Sequence, residues 1–290
     1  MSFDPYLILY IYIKLRIYIM MQTYIMSGAT SRFTTKYSPS ISLDPKKKYE
    51  AALLSIDLYN SIPNITELNN AFRYTADNGQ TWKTILLATG AYELSAINSE
   101  IQRKMALNGD YDKVHSQYYV NITANLTTLK SIITISNNKY KVDFSVANSI
   151  GSVLGFTNEI IVGSGSNSSG SVSYTESPNI VNIMQVNSIL VNIDIIIGSY
   201  VNGFYSPTIY SFSPNVSPGY KIVERPTPSL IFYPVSRYEI DHMKVWLTDQ
   251  NNNDVDIRGE VITVRICIRE AAFDLEDIKA AIDELSKLKL

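Results

Sequence analysis

The stretch Asp249–Glu260, DQNNNDVDIRGE, spaces its side-chain oxygens as a calcium loop would. Such a loop takes ligands from its first, third, fifth and twelfth positions and a Gly at the sixth for its sharp turn. Asp249, Asn251, Asn253 and Glu260 meet the ligand positions, but Asp254 stands where Gly is required. Asp256 also stands at the eighth, where an aliphatic residue is expected. The flanks decide: MKVWLT and VITVRICIR alternate with period two, not with the 3.6-residue stripe of flanking helices. The sequence therefore predicts the tip of a β-hairpin, with Asn and Asp as turn residues that bond their own backbone.

Little else in the chain has the composition for chemistry. One Cys and two His, His115 and His242, leave almost no material for a Cys/His zinc site, and a single Cys makes no intramolecular disulfide. Cys267 lies inside an alternating strand pattern and reads as a structural thiol rather than half of a Cys–His pair. Asp143 and Asp194 are expected to point outward from strands, and nothing marks them as the paired acids of a glycoside hydrolase. GSGSN carries Gly and Ser without the strand–turn–helix context of a nucleophile elbow. Five Asn-x-Ser/Thr triplets, at Asn64, Asn121, Asn125, Asn167 and Asn215, are glycan acceptors in a secreted chain and chance products of an Asn- and Ser/Thr-rich one otherwise. No catalytic, cofactor-binding or metal-ligating residue is assigned, and no cofactor is expected.

Composition agrees with that inventory. The 290 residues carry a formal charge of −2, so no net field favours nucleic acid or an anionic membrane. Charged residues are 18% of the chain and Tyr occurs 21 times. Low charge with many β-branched and aromatic residues favours a β protein with large buried or partner-covered surfaces.

The elements follow from periodicity. In ALLSIDL, residues Ala52, Leu54, Ile56 and Leu58 alternate with Ser55 and Asp57. FRYTADNGQTWKTILL folds back at Asn78-Gly79 as a hairpin. SAINSEIQRKMALNG is a helix with the stripe Ile97, Ile101 and Met105, a cap at Ser95 and a stop at Asn108-Gly109. KYKVDFSV puts Tyr140, Val142, Phe144 and Val146 on one face. SILVNIDIII does the same with Ile189, Val191, Ile193, Ile195 and Ile197, leaving Asn192 and Asp194 opposite. Residues 163–173, GSGSNSSGSVS, form a surface excursion. Pro207, Pro214, Pro218, Pro226 and Pro228 confine their segment to loops and sheet edges. About ten short strands and one inserted helix predict an all-β fold, an antiparallel β-sandwich of jelly-roll type.

Four segments are expected. Residues 1–25 are an apolar stretch interrupted by Lys14 and Arg16, read as an upstream extension before a start at Met26, or as a signal anchor. With a start at Met26, no membrane partner is expected. Residues 26–48 read as a flexible arm with a solvated Lys46-Lys47-Lys48 face, 49–269 as the sandwich, and 270–290 as an amphipathic helix. Leu275, Ile278, Ile282 and Leu285 form the apolar seam of that helix, too short for a free coiled coil.

Several blocks between residues 49 and 269 look familiar together. They include YEAALLSIDLYNSIPNI, FRYTADNGQTWKTILLATGAYELSAINSEIQ, NSIGSVLGF, SILVNIDIIIGSYVNG, YSFSPNVSPGYKIVERP and VWLTDQNNNDVDIRGEVITVRICIR. This set resembles the minor capsid, or penton, proteins of Polinton (Maverick) elements and adintovirus-like viruses. The resemblance implies a single jelly roll without enzymatic activity. Its copies would form homopentamers at the fivefold vertices of an icosahedral virion, beside the major capsid protein of the same element. The charge balance and the short lysine run separately predict no specific nucleic-acid site. The apolar leader and the C-terminal helix lie outside the resemblance. A different reading of the same fold is a ligand- or glycan-binding β-sandwich.

Overall fold

The computed structural model describes residues 21–163, 172–226 and 228–271. The strands open with β1 (Gln22–Gly28), β2 (Arg32–Ser42) and β3 (Tyr49–Tyr59). Between Ala71 and Glu176 come β4 (Ala71–Thr75), β5 (Trp82–Leu86), β6 (Val120–Asn125), β7 (Lys130–Ile135), β8 (Lys141–Asp143), β9 (Ile160–Val162) and β10 (Ser173–Glu176). The chain continues with β11 (Ile189–Ile193), β12 (Tyr200–Val201), β13 (Phe204–Tyr205) and β14 (Thr208–Phe212). It closes with β15 (Lys221–Glu224), β16 (Tyr233–Pro234), β17 (Glu239–Asp249) and β18 (Ile262–Glu270). A helix, α1 (Leu94–Leu107), and a single helical turn, α2 (Gly151–Leu154), lie between β5 and β9.

Eight strands make two facing four-stranded sheets, ordered β1-β18-β3-β15 and β14-β11-β17-β2. Every ladder in them is antiparallel. In chain order these strands switch sheet at every step except β11 to β14, which are antiparallel neighbours in one sheet, and that is the interleaved order of a jelly roll, so the predicted class is the observed one. The short β16 adds to one edge by pairing with β3. Between the sheets lies an apolar core that includes Met26, Leu53, Ile56, Leu58, Val191, Val245, Leu247, Val264 and Ile266.

Three expectations change here. The segment 26–48 is not an arm. Strand β2 pairs with β17 from Arg32↔Trp246 to Ser42↔Glu239, and its Phe33, Tyr37 and Ile41 pack against the core. β1 pairs along its whole length with β18, and Met26 is 1% exposed. The strand begins four residues ahead of Met26, so the boundary expected there cuts through a ladder. Edge strands rich in Ser, Thr and Lys look like linkers by composition, because only one face needs apolar residues. The β1–β2 corner is tight: a Cβ on Gly28 would fall 2.4 Å from the Phe33 ring.

The second change is a β-bulge in β3. Its partner register jumps between Arg265↔Ser55 and Ile266↔Leu53, which leaves Leu54 unpaired. One extra residue reverses the alternation. The core side therefore holds Ala51, Leu53, Ile56 and Leu58, not Ala52 and Leu54. Third, β11 is shorter than SILVNIDIII suggested, and Ile196 rather than Ile197 is buried.

Between β3 and β11 the chain builds a second, smaller sandwich, which the expectation of one sandwich over 49–269 did not contain. Sheets β5-β4-β8-β9 and β10-β7-β6 enclose a separate cluster including Phe72, Tyr74, Val142, Phe144, Ile133 and Ile135. The Asn78-Gly79 hairpin is present, with Phe72 opposite Ile85 and positive φ at both turn residues. Ile97, Ile101 and Met105 face this cluster from α1 as predicted. The helix starts two residues earlier than a Ser95 cap requires: Glu93 is the N-cap and makes no side-chain capping bond. α1 also seals an open side of the sandwich. Gln102 Nε2 donates to Val120 O (3.1 Å), Asn98 Oδ1 accepts from Ile122 N (2.8 Å), and Lys104 Nζ reaches Leu86 O. Exposed edges of β5 and β6 are thereby occupied, which blocks strand addition there.

Candidate functional site

Where the two sandwiches meet, the chain crosses twice, at residues 60–65 and 183–188. Side-chain amides tie these crossings together. Asn64 Nδ2 donates to Tyr92 O (2.7 Å) and Ile183 O (2.9 Å), and its Oδ1 accepts from Tyr92 N (2.9 Å). Gln185 Nε2 donates to Asn64 O (3.1 Å), and Gln250 Nε2 to Gln185 O (3.1 Å). Asn60 Nδ2 reaches Val216 O at 2.7 Å. Beside this clasp opens a cleft of about 640 Å³, lined by apolar groups such as Ile62, Tyr92, Leu94, Met184, Val186 and Val216. Glu93 is its one charged lining residue. A cleft of this size and character can take up apolar or aromatic groups. It contains no carboxylate pair and no His or Cys, so it offers no general acid, base or nucleophile of those types.

A second feature rises from the outer face of the β14-β11-β17-β2 sheet. Strands β12 and β13 form a two-residue hairpin at Asn202-Gly203, both at positive φ. The hairpin folds over the sheet and accounts for a buried polar group there. Asn192, fully buried, donates to Thr248 Oγ1 (3.1 Å) and accepts from Thr208 Oγ1 (2.6 Å). Ser206 Oγ adds a bond to Asn192 Oδ1 at 3.3 Å. Asn192 thus points away from the core as the alternation predicted, yet it is covered. On its solvent side the hairpin presents Tyr200 (70% exposed), Phe204 (79%) and Tyr205 (55%). Tyr200 and Tyr205 meet edge to face at 6.1 Å. Sequence reasoning missed this hairpin, although YVNGFY carries its signal: Asn-Gly between Tyr-Val and Phe-Tyr, four residues of high β-propensity.

The residues singled out by sequence scatter. Asp249 spends its carboxylate within its own turn: Oδ1 accepts from the backbone N–H of Asn251 and Asn253, both at 2.8 Å, and Oδ2 from the Asn253 side-chain Nδ2 at 3.1 Å. The Asp249–Asn253 stretch is a turn, but not the tip of a hairpin between the flanking strands. β17 belongs to one sheet and β18 to the other, so residues 250–261 cross the end of the jelly roll. Val255 and Ile257 plug that end. Asp143 is 4% exposed rather than outward in solvent, paired with Arg73 (3.2 Å) and bonded by Ser145. Asp194 joins Arg237 (2.9 Å) and sits 3.6 Å from His242 Nε2, while His242 Nδ1 meets Asp241 at 2.7 Å. Arg237 Nε is the one buried side-chain N or O without a partner among the described residues. His115 lies far off in an exposed loop with Asp112. Cys267 is fully buried in β18, and burial pushes its thiol up, away from the reactive thiolate. Among the described residues, no three His, Cys, Asp or Glu side chains gather as a metal site would require.

Of the glycan triplets, Asn64 is buried in the amide clasp and Asn125 bonds Glu176 at 2.8 Å. Asn167 and the body of the Gly/Ser excursion lie outside the described residues, as do residues 1–20 and the expected helix seam from Leu275 onward. No helix among the described residues is long and apolar enough to cross a membrane.

Comparison with known proteins finds solved structures similar to this chain, and one of them bears on this geometry. It is the crystal structure of the mavirus penton protein, 11% identical, covering 87% of this chain and 100% of that chain, with a TM-score of 0.46. No protein-family model matches, and no curated protein matches. A likeness at that level transfers no role to this chain. The jelly-roll order rests on its own ladders.

What remains is a surface suited to contact. The carboxylates of Asp143, Asp194 and Asp249 are engaged by neighbours within the chain, whereas the hairpin and the cleft expose apolar groups. Exposed apolar patches of this kind mark interaction sites.

Proposed function

We propose that this chain is a structural capsid subunit, a penton-type minor capsid protein of a Polinton-like element. In this reading its copies ring the fivefold vertices of an icosahedral virion, beside the major capsid protein, after assembly inside the host cell. The observation that carries it is a jelly roll whose outer sheet face bears an uncharged hairpin with exposed aromatic side chains. The sequence blocks resembling penton proteins support the same role. Tyr and Phe on such a surface provide contact area at little entropic cost, and Tyr adds a hydrogen bond. On this reading the chain is not an enzyme. Light scattering on the full chain tests it: a closed, ring-sized oligomer is expected, and a strict monomer at high concentration overturns it.

A second reading is a ligand- or glycan-binding sandwich, favoured by the cleft with Tyr92, Asn60 and Asn215 on its wall. Reproducible binding on a glycan array by a monomeric protein selects it over the first.

A further inference from the structure

We infer that copies of this chain join by seating the Asn202-Gly203 hairpin of one in the interlobe cleft of the next. The inference rests on the self-assembling reading above and names the surfaces it uses. The two surfaces match in charge. Residues Gly198–Ser206, GSYVNGFYS, contain no ionisable acid or base other than tyrosine, and the cleft has Glu93 alone. The hairpin brings no charged group to be desolvated, and the cleft has only the exposed Glu93 on its wall. They also match in size, since a 640 Å³ cleft can admit two aromatic rings.

A chain cannot satisfy its own cleft this way. Asn202 Nδ2 bonds Gln250 O at 3.3 Å, Tyr205 OH bonds Ile196 O at 3.2 Å, and Ser199 Oγ bonds Ser206 O. These hold the hairpin flat on its own sheet, with Tyr200 and Phe204 facing solvent. Hairpin and cleft are different patches, so the contact is head-to-tail and propagates until the rotation closes. Two aromatic side chains bury roughly 300–500 Å², and the cleft wall a similar area, which is at the weak end of specific interfaces. One such contact is therefore fragile alone and is secured by closure of the ring. Rings and monomers are expected, with few dimers between.

The test uses the full chain. Sedimentation and light scattering compare wild type with Phe204→Ser on the hairpin and Met184→Glu on the cleft wall. Both positions are exposed, so far-UV circular dichroism is expected to stay unchanged. Each variant is expected to weaken assembly by at least about tenfold, as loss of an aromatic anchor does. Mixing Phe204→Cys chains with Met184→Cys chains under oxidation is expected to give a disulfide between chains. Wild-type oligomers that persist in both variants without that cross-link overturn the hairpin–cleft contact and leave the capsid reading standing. A wild type that is monomeric throughout overturns both.

Discussion

Asn192 and Thr248 share a hydrogen bond of 3.1 Å beneath the β12–β13 hairpin, joining β11 to β17 on the face that points away from the core. Replacing Asn192 with Ala leaves Thr248, Thr208 and Ser206 without that partner in a site closed to water. The variant is expected to lose about 1–3 kcal/mol, the cost of stranding buried polar groups, read as a lower urea midpoint with unchanged slope. Ser206→Ala, at the hairpin rim, is expected to lose less.

Met26 lies in the jelly-roll core. Met26→Ala is expected to cost about 2–5 kcal/mol, as truncation of a buried side chain does. Chemical denaturation checks it. An arm outside the fold predicts no change at all.

Asp249 organises the turn after β17 through three acceptor bonds. Asp249→Ala is expected to destabilise by about 1–2 kcal/mol, while Asp249→Asn keeps an acceptor and loses less. Thermal melts with calcium and with chelator are expected to coincide, because the carboxylate is already committed to N–H groups.

Asp112 accepts from Tyr119 OH (2.6 Å) and His115 Nδ1 (2.8 Å), and these bonds hold its carboxyl well below the usual carboxylate range. A depressed folded-state value means the stabilisation is present above 3.8, the unperturbed value, and is lost as pH falls below it. Hydrogen exchange in the 110–119 loop is expected to accelerate on acidification through that range. Asp112→Asn should remove the pH dependence.

Tyr37 shows the opposite sign. Burial, with Tyr24 beside it, pushes its hydroxyl up to about 12. Its contribution is complete below 10 and is lost as pH rises toward 12. Alkaline difference absorbance is expected to show late-ionising tyrosine, and Tyr37→Phe should remove part of that late phase.

Much of the fold was legible because the informative residues are local neighbours. Asn78-Gly79 specifies the hairpin that sets Phe72 against Ile85, and the four-residue spacing of Ile97, Ile101 and Met105 specifies a helix face. The polar edge strands β1 and β2 were illegible because one buried face among Ser and Thr resembles a linker. The bulge at Leu54 was hidden because alternation does not reveal an unpaired residue; only its partner strand β18, some two hundred positions away, does. The same distance hid the crossing after Asp249: strand character was readable on both flanks, but not that they enter different sheets. The cleft is a meeting of segments from five parts of the chain, and no local pattern encodes such a meeting.

The smaller sandwich leaves the larger through Asn60 and comes back at Ser188, beside the point of departure. A doorway that narrow makes the annex replaceable: another module, or a brief linker, can be spliced there without either jelly-roll sheet changing its neighbours. Evolution can then redecorate the outside of such a protein while its frame stays untouched.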